Sequence, residues 1–514
     1  MNRFAAALAG LIAFVALATA NGAGYRYGVS DQAAYVPAIM LAENPAAFPR
    51  DAQLIHTQGQ FFVLDEALAT IGNTTGAPVE WLFVGAYLFS LLVIWIGVLL
   101  IGTRLYSSLW LTCAFALVVT LRHRITLTAA NSLEPYFHPR LLAFGFGLIA
   151  IGSFLRRSTG PPHLIHRSAP PALRTDWLAI AAVGVAAICH ITTALWFAIL
   201  LGTALAIVDR RWRLPAALGS LVAVAVVIWL VVAGPLHAAS KTMDAVWIEA
   251  VAGKDYLFAN EWPWWGWPAN LGLIVLLWIV QTVRERRGTA TAEDRALAWG
   301  ATALVALFLL TLPAVIAHVA IAVQFQITRV FWIVDVLAAM YLIAAIGEVL
   351  TQRGMAALTI ALLSFSTARG IYILHHQHRD LMEVSLPHDA WLDAMNWIAK
   401  QPPDVYVLAD PGHATMYGSS VRVASQRDVL LEDVKDSAIA IYSRPLAGQV
   451  VDRRRAIGTF SALTADKARA LGQQYDLNYL VTTATLPLAE VYRNSRFRIY
   501  ALQPVDRASE SRAR

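Results

Sequence analysis

Three acids and a few basic residues stand where this chain meets its most apolar stretches. Asp31 lies in YGVSDQAAYVPAI and Asp51 in FPRDAQL, both in a polar segment that directly follows the first apolar run. Glu134 stands with His138 and Arg140 in NSLEPYFHPRLL, and Arg329 follows Gln324 and Gln326 in AVQFQITRVFW. An acid and a cation beside a bilayer are costly unless they pair, line a wet cavity or bind a ligand. A simpler use is also open to each acid. Ser30 or Asp31 would cap a short amphipathic helix carrying Tyr35, Ile39 and Met40, lying on the membrane and ending before Pro45, and Asp51 would cap a second. Glu134 reads equally as a surface partner of Arg122 or Arg140. A long loop with two acids just after a first helix is otherwise a place for chemistry at a membrane surface.

The elements that must position these residues are set by composition. The chain has 514 residues, 58% hydrophobic and 14% charged, with mean hydropathy +0.55. Soluble domains carry about 25% charged residues, so this composition is that of an integral membrane protein. Seventeen Trp and sixteen Tyr suit interfacial aromatic belts. The net charge of +6 does not point to nucleic acid, because Lys and Arg fall largely in short loops between apolar runs. Cys113 and Cys189 lie inside apolar runs and make neither a disulfide framework nor a zinc spacing.

The start, MNRFAAALAGLIAFVALATANGAG, admits a cleavable signal or a retained first helix. Retention is preferred because the following loop needs an anchor. Further apolar runs fall near 81–103, 106–121, 140–155, 177–190, 192–208, 214–234, 270–283, 296–316, 327–348 and 355–372. Basic clusters at Arg156-Arg157 with Arg167 and Arg174, at Arg210-Arg211-Arg213 and at Arg284-Arg286-Arg287 fit inside loops if the amino terminus is cytoplasmic. Keeping Arg174 and Arg210 on one side requires two short helices turning near His190. The sum is about eleven crossings, with the carboxyl-terminal region outside.

From about His375 the charge rises and apolar runs shorten. WLDAMNWIAKQPPDVYVLADPG reads as an amphipathic helix, a turn and a short strand; SSVRVAS follows, then a helix over TADKARALGQQYD, the strand NYLVTT and a closing FRIYALQP. The expected fold is a polytopic α-helical membrane protein of about 11 transmembrane helices with a C-terminal extracytoplasmic α/β domain. Its divisions are a transmembrane domain over 1–374 that includes a first outer loop at 23–80, an outer α/β domain over 375–505, and a disordered tail over 506–514.

An acid in the first outer loop, a second acid in the next, about eleven crossings and an outer carboxyl-terminal domain together resemble the GT-C glycosyltransferase superfamily. That group includes protein O-mannosyltransferases, oligosaccharyltransferases and the aminoarabinose transferases of lipid A. The chain lacks the adjacent acidic pair of the mannosyltransferases and the WWD-type signature of the oligosaccharyltransferases. It looks closer to uncharacterised bacterial members whose outer tail ends in a strand like Phe497-Arg498-Ile499-Tyr500. The resemblance implies a polyprenyl-phosphate-linked sugar donor, membrane lipid as surroundings, an acceptor outside the membrane and no nucleic acid. It places Asp31 as the base on the acceptor, with Glu134 the second acid and Asp51 a weaker one. It also implies a divalent cation, if any is used, at Asp31 and Glu134. A leaving phosphate needs cationic donors at the lipid boundary. Arg329 with Gln326, Arg140 with His138, and Lys241 in HAASKTMDAVW are the candidates, Arg329 having a snorkelling role as its plainer reading. The implied location is a bacterial inner membrane, multi-pass.

Other features carry less. Trp262, Trp264, Trp265 and Trp267 could stack on a sugar but read first as an interfacial anchor. His375, His376 and His378 lack acids or cysteines to complete a metal site. No nucleotide loop, dinucleotide turn or Ser-His-Asp scaffold is present. A transporter or flippase for an amphipathic substrate and a non-catalytic membrane scaffold are the other function classes compatible with this sequence.

Overall fold

The computed structural model of the chain describes residues 3–59, 63–155, 173–234 and 240–503. The basic residues Arg156, Arg157 and Arg167, and the tail 506–514, lie outside the described residues. By contacts the chain divides into two compact units: Met1–Tyr25, Gly85–Thr242 and Gly253–Met382 form one, and Arg26–Val84, Met243–Ala252 and Glu383–Arg514 the other. The sequence expectation kept the first outer loop with the membrane helices, whereas the contacts group 26–84 with the carboxyl-terminal α/β domain.

The first unit is helical because its segments are apolar on every face, and a backbone in lipid must satisfy its own hydrogen bonds. Among the described residues seven helices are long and apolar enough to cross a membrane, and four shorter apolar ones are Ala7–Asn21, Leu109–Thr120, Pro139–Phe154 and Asp176–Cys189. Each apolar run read from the sequence therefore carries a helix. The run 177–208 is broken as expected: helices Leu173–Cys189 and Ile191–Val208 are separated by His190, which is extended and accepts the Thr193 N–H at its ring. Small residues let these helices approach closely. A Cβ at Gly97 would stand 2.6 Å from the Cβ of Leu148, and one at Gly152 would stand 2.7 Å from that of Leu100. The helix Arg213–Val232 differs from all of these, with no buried residue along its length.

The tryptophan cluster divides. Trp262 is buried, stacks near Phe308 and Phe331 and donates its indole N–H to the Asp255 carbonyl, so it is core and not an anchor. Trp264 and Trp265 are exposed, as an interfacial anchor requires.

The second unit is built on a five-stranded sheet in the order Asp428–Val429, Tyr406–Leu408, Tyr479–Thr482, Arg498–Ala501, Ala489–Arg493. The first three strands are parallel and the last two antiparallel to their neighbours. The helix Ala390–Ala399 places Trp391, Met395 and Ile398 in one core with Val407, Val481 and Ile499 of the sheet. The helix, strands and second helix read from WLDAMNW, VYVL, ADKARALGQQY, NYLVTT and FRIY are all present. The loop adds helices Gln32–Glu43, Ala52–Gly59 and Leu64–Thr75. The first of these corrects the expectation of a helix lying on the membrane. Gln32, Ala33, Ala34, Tyr35, Val36, Pro37, Ala38, Ile39 and Leu41 are all buried, so no polar face is left for water.

Candidate functional site

The candidate residues divide between the units. In the second unit, Asp31 occupies the residue before Gln32–Glu43, but its carboxylate makes no capping bond to that helix. It accepts instead from Lys435 Nζ at 2.6 Å, with the lysine side chain 14% and the aspartate 32% exposed. Lys435 rides on the helix Asp433–Ile439, whose first turn is fixed on both sides: Asp433 is paired with Arg454, and Asp436 with Arg422. On the loop side, Gln32 Oε1 accepts the Gly28 N–H at 2.7 Å. Gly28 has φ +76°, and a Cβ there would meet Leu386 at 2.7 Å, so only glycine suits that turn.

Asp51 likewise turns toward the α/β domain. It is 1% exposed and accepts Arg422 Nε at 2.7 Å and the Val429 N–H at 3.1 Å. Arg422 is fully enclosed and also donates Nη1 to Asp436 at 2.7 Å. Burial works against that charge, but Asp436 and Asp51 more than offset it and hold the guanidinium firmly protonated. Asp428 closes the cluster by accepting the backbone N–H groups of Arg50 and Asp51. Burial and the neighbouring Asp51 push its carboxyl up to about 6. Glu432 beside it is pushed up to about 8, first by burial and then by Asp436. These groups pin the loop to the sheet, and Asp51 belongs to that clamp.

In the membrane unit, Glu134, His138 and Arg140 are brought together as one constellation. Arg140 Nη2 donates to Glu134 Oε1 at 3.0 Å with both side chains almost wholly buried. Asn131 Nδ2 donates to both Glu134 oxygens, at 3.2 and 3.1 Å, and Arg122 Nη2 lies 3.8 Å away. His138 caps the helix Pro139–Phe154 by accepting the Arg140 N–H at 3.0 Å, and its ring centre is 6.1 Å from that of His190. The Arg140 guanidinium lies over Trp332 at 5.8 Å. Trp332 is buried, stacks on Phe144 at 4.2 Å, and its indole N–H has no hydrogen-bond partner among the described residues.

Arg329 is the capping residue of the helix Val330–Gly347, with its guanidinium over Tyr256 at 5.7 Å. Arg140 and Arg329 both act electrostatically on His190. Gln326, three residues before Arg329, holds φ +48°, and the loop before Glu134 holds the same left-handed conformation at Arg122, Leu127 and Ala129. Non-glycine residues in that region store strain, which concentrates at functional sites. Lys241 lies apart in an edge contact: its carbonyl accepts the Ala320 N–H, and its side chain is exposed.

A divalent cation finds no ready donor set in these residues. Asp31 already meets an ammonium and Glu134 a guanidinium, and among the described residues no group of three His, Cys, Asp or Glu could hold a metal. His375 and His376 end the helix Gln352–His376, and His378 follows it.

Lys435 and Arg422 are the residues that sequence reasoning missed. Lys435 sits in LEDVKDSAI among other charges, with nothing to link it to an acid more than 400 positions away. Arg422 had a signal, a lone arginine between valines in SSVRVAS, the pattern of a charge carried into a core.

No family model and no curated protein matches the chain. Among solved structures, it is similar to the Archaeoglobus fulgidus oligosaccharyltransferase in its apo form, at 13% identity and a TM-score of 0.49, over 93% of this chain and 69% of that one.

Proposed function

We propose that the chain is an integral membrane glycosyltransferase that moves a sugar from a polyprenyl-phosphate donor to an acceptor outside the membrane, with inversion at the anomeric carbon. The observation that carries this reading is the placement of Arg140 and Arg329 at the amino-terminal ends of two membrane helices. A helix amino terminus already bears partial positive charge, so an arginine there adds to a place that favours an anion, and Glu134 already supplies one carboxylate at Arg140. The Trp332 N–H beside Arg140, which has no hydrogen-bond partner among the described residues, adds a neutral donor to the same surroundings. A phosphate with a lipid tail is an anion suited to such a place.

In the proposed step the acceptor O–H gives its proton to the Asp31 carboxylate as the oxygen attacks the anomeric carbon. The bond from that carbon to the donor phosphate breaks, and the phosphate leaves with the electron pair. Attack opposite the leaving group inverts the configuration. Glu134 serves by orienting Arg140, and Asp51 by fixing the loop that carries Asp31.

The reading is tested in proteoliposomes with polyprenyl-phosphate hexoses tritiated in the sugar. A transferase moves label from the lipid to a covalent product, and D31N does so far more slowly at unchanged expression and folding. Label crossing the bilayer with no covalent product identifies a flippase and sinks the proposal, as does wild-type transfer by D31N.

A further inference from the structure

We infer that Lys435 is a positioning residue whose ammonium supplies the fixed positive charge at the Asp31 carboxylate, in the place where a divalent metal would otherwise be held. The inference rests on the reading of Asp31 as the base. Four observations support it. The 2.6 Å contact joins a side chain of the α/β domain to the loop acid, and Lys435 is largely withdrawn from water. The backbone beneath the lysine is held by two ion pairs, Asp433 with Arg454 and Asp436 with Arg422, so the ammonium is presented from a rigid turn and not from a mobile surface helix. The other acids around it do not compete. Asp436 is committed to Arg422, from which it takes two hydrogen bonds, and Glu432 holds its proton to about pH 8 because it is buried. Finally, the helix after Asp31 is buried over its first eight residues and the turn before it carries Gly28 at φ +76°, so the backbone that presents the carboxylate is held in place.

A divalent ion at Asp31 would have to share one carboxylate with an ammonium at bonding distance. Repulsion between the two cations works against that, and in protein surroundings it is far less screened than in water. A lysine held at a carboxylate gives the same benefit without a metal-binding equilibrium. It keeps the oxygen aimed and compensates the negative charge until the acceptor proton arrives.

Two measurements on the full chain in nanodiscs decide the matter. The first is titration with Mn2+ followed by electron paramagnetic resonance, which needs no turnover. Wild type and D31N should bind the same amount of Mn2+. Binding by wild type that D31N abolishes overturns the inference. The second is kinetics with whichever polyprenyl-phosphate hexose the wild type turns over. K435M should lose kcat by a factor of about 10 to 100 with little change in donor KM, K435R should recover most of it, and excess EDTA should leave the wild type unaffected. Wild-type kcat in K435M, equal loss in K435R, or loss on chelation that Mn2+ restores would each overturn it. If the wild type transfers no sugar, the proposed function fails, while the Mn2+ titration still answers whether Lys435 occupies the cation position.

Discussion

Asp51 is 1% exposed and divides its carboxylate between the Arg422 guanidinium and the Val429 N–H, whereas Asp31, on the same loop, is 32% exposed and meets the ammonium of Lys435. Both acids pair with cations of the α/β domain, and both stand just before a helix. The surroundings differ in kind. Asp51 shares its guanidinium with Asp436 in a closed cluster, where every change leaves a buried charge without its partner. Asp31 keeps contact with solvent and can exchange a proton. One loop therefore holds an acid that fastens it and an acid that it presents, and burial distinguishes them where residue type and spacing do not.

The largest effect that can break this comparison is on catalysis. D31N should reduce sugar transfer by about 10²- to 10⁴-fold, the usual contribution of a general base. Its thermal midpoint should barely move, since a partly exposed ion pair is worth only about 0–1 kcal/mol. R422M should do the reverse. Removing one partner from a buried ion pair costs about 3–5 kcal/mol, so the midpoint of the full chain should fall by many degrees. Should R422M melt with the wild type, the Asp51 cluster is not what fastens the loop.

How much of this was legible in the sequence depends on where the partners lie. The apolar helices were legible almost one by one, because long apolar runs have few other uses. The break at His190 was legible from the charge at either end of 177–208. In the α/β domain, the alternation in NYLVTT and FRIY marked the strands. The loop was harder. Its first helix looked amphipathic because Tyr35, Ile39 and Met40 fall on one face, but alanines on the opposite face let protein cover that side too. The constellation of Glu134, His138 and Arg140 was visible because its members are near in sequence. The pairs of Asp31 with Lys435 and Asp51 with Arg422 were not, since each joins positions some 370 to 400 apart.

The membrane unit offers an intermediate case between those two acids. Glu134 and Arg140 are both buried, as Asp51 and Arg422 are, yet Arg140 stands in the first turn of a helix, beside an indole N–H that has no partner among the described residues. Arg329 stands at the start of another. If these arginines bind the donor phosphate, R329M should raise the donor KM by about 10- to 100-fold, since a hydrogen bond to a charged group is worth about 1.5–3 kcal/mol. R329K should recover only part of that, because an ammonium cannot reproduce the planar guanidinium fork. Unchanged KM in R329M would assign Arg329 to headgroup contact and leave Arg140 alone as the anion site.

The smallest effect lies in the buried cluster itself and concerns pH. Glu432 is raised from 4.5 to about 8 by burial and by Asp436. Between those values the folded chain keeps a proton that the unfolded chain has released. The stability contributed by neutral Glu432 is therefore complete below pH 4.5 and is lost as pH rises through about 8. Asp428, raised from 3.8 to about 6, acts with the same sign over a lower window. The thermal midpoint of the wild type should accordingly decline from about pH 5 to pH 8. E432Q keeps the shape of the neutral acid without its titration, so it should flatten the upper part of that decline and melt higher than the wild type near pH 8. Parallel slopes in the two proteins would mean that Glu432 is already ionised in the folded chain, and that the Arg422 cluster carries one more negative charge than proposed for it.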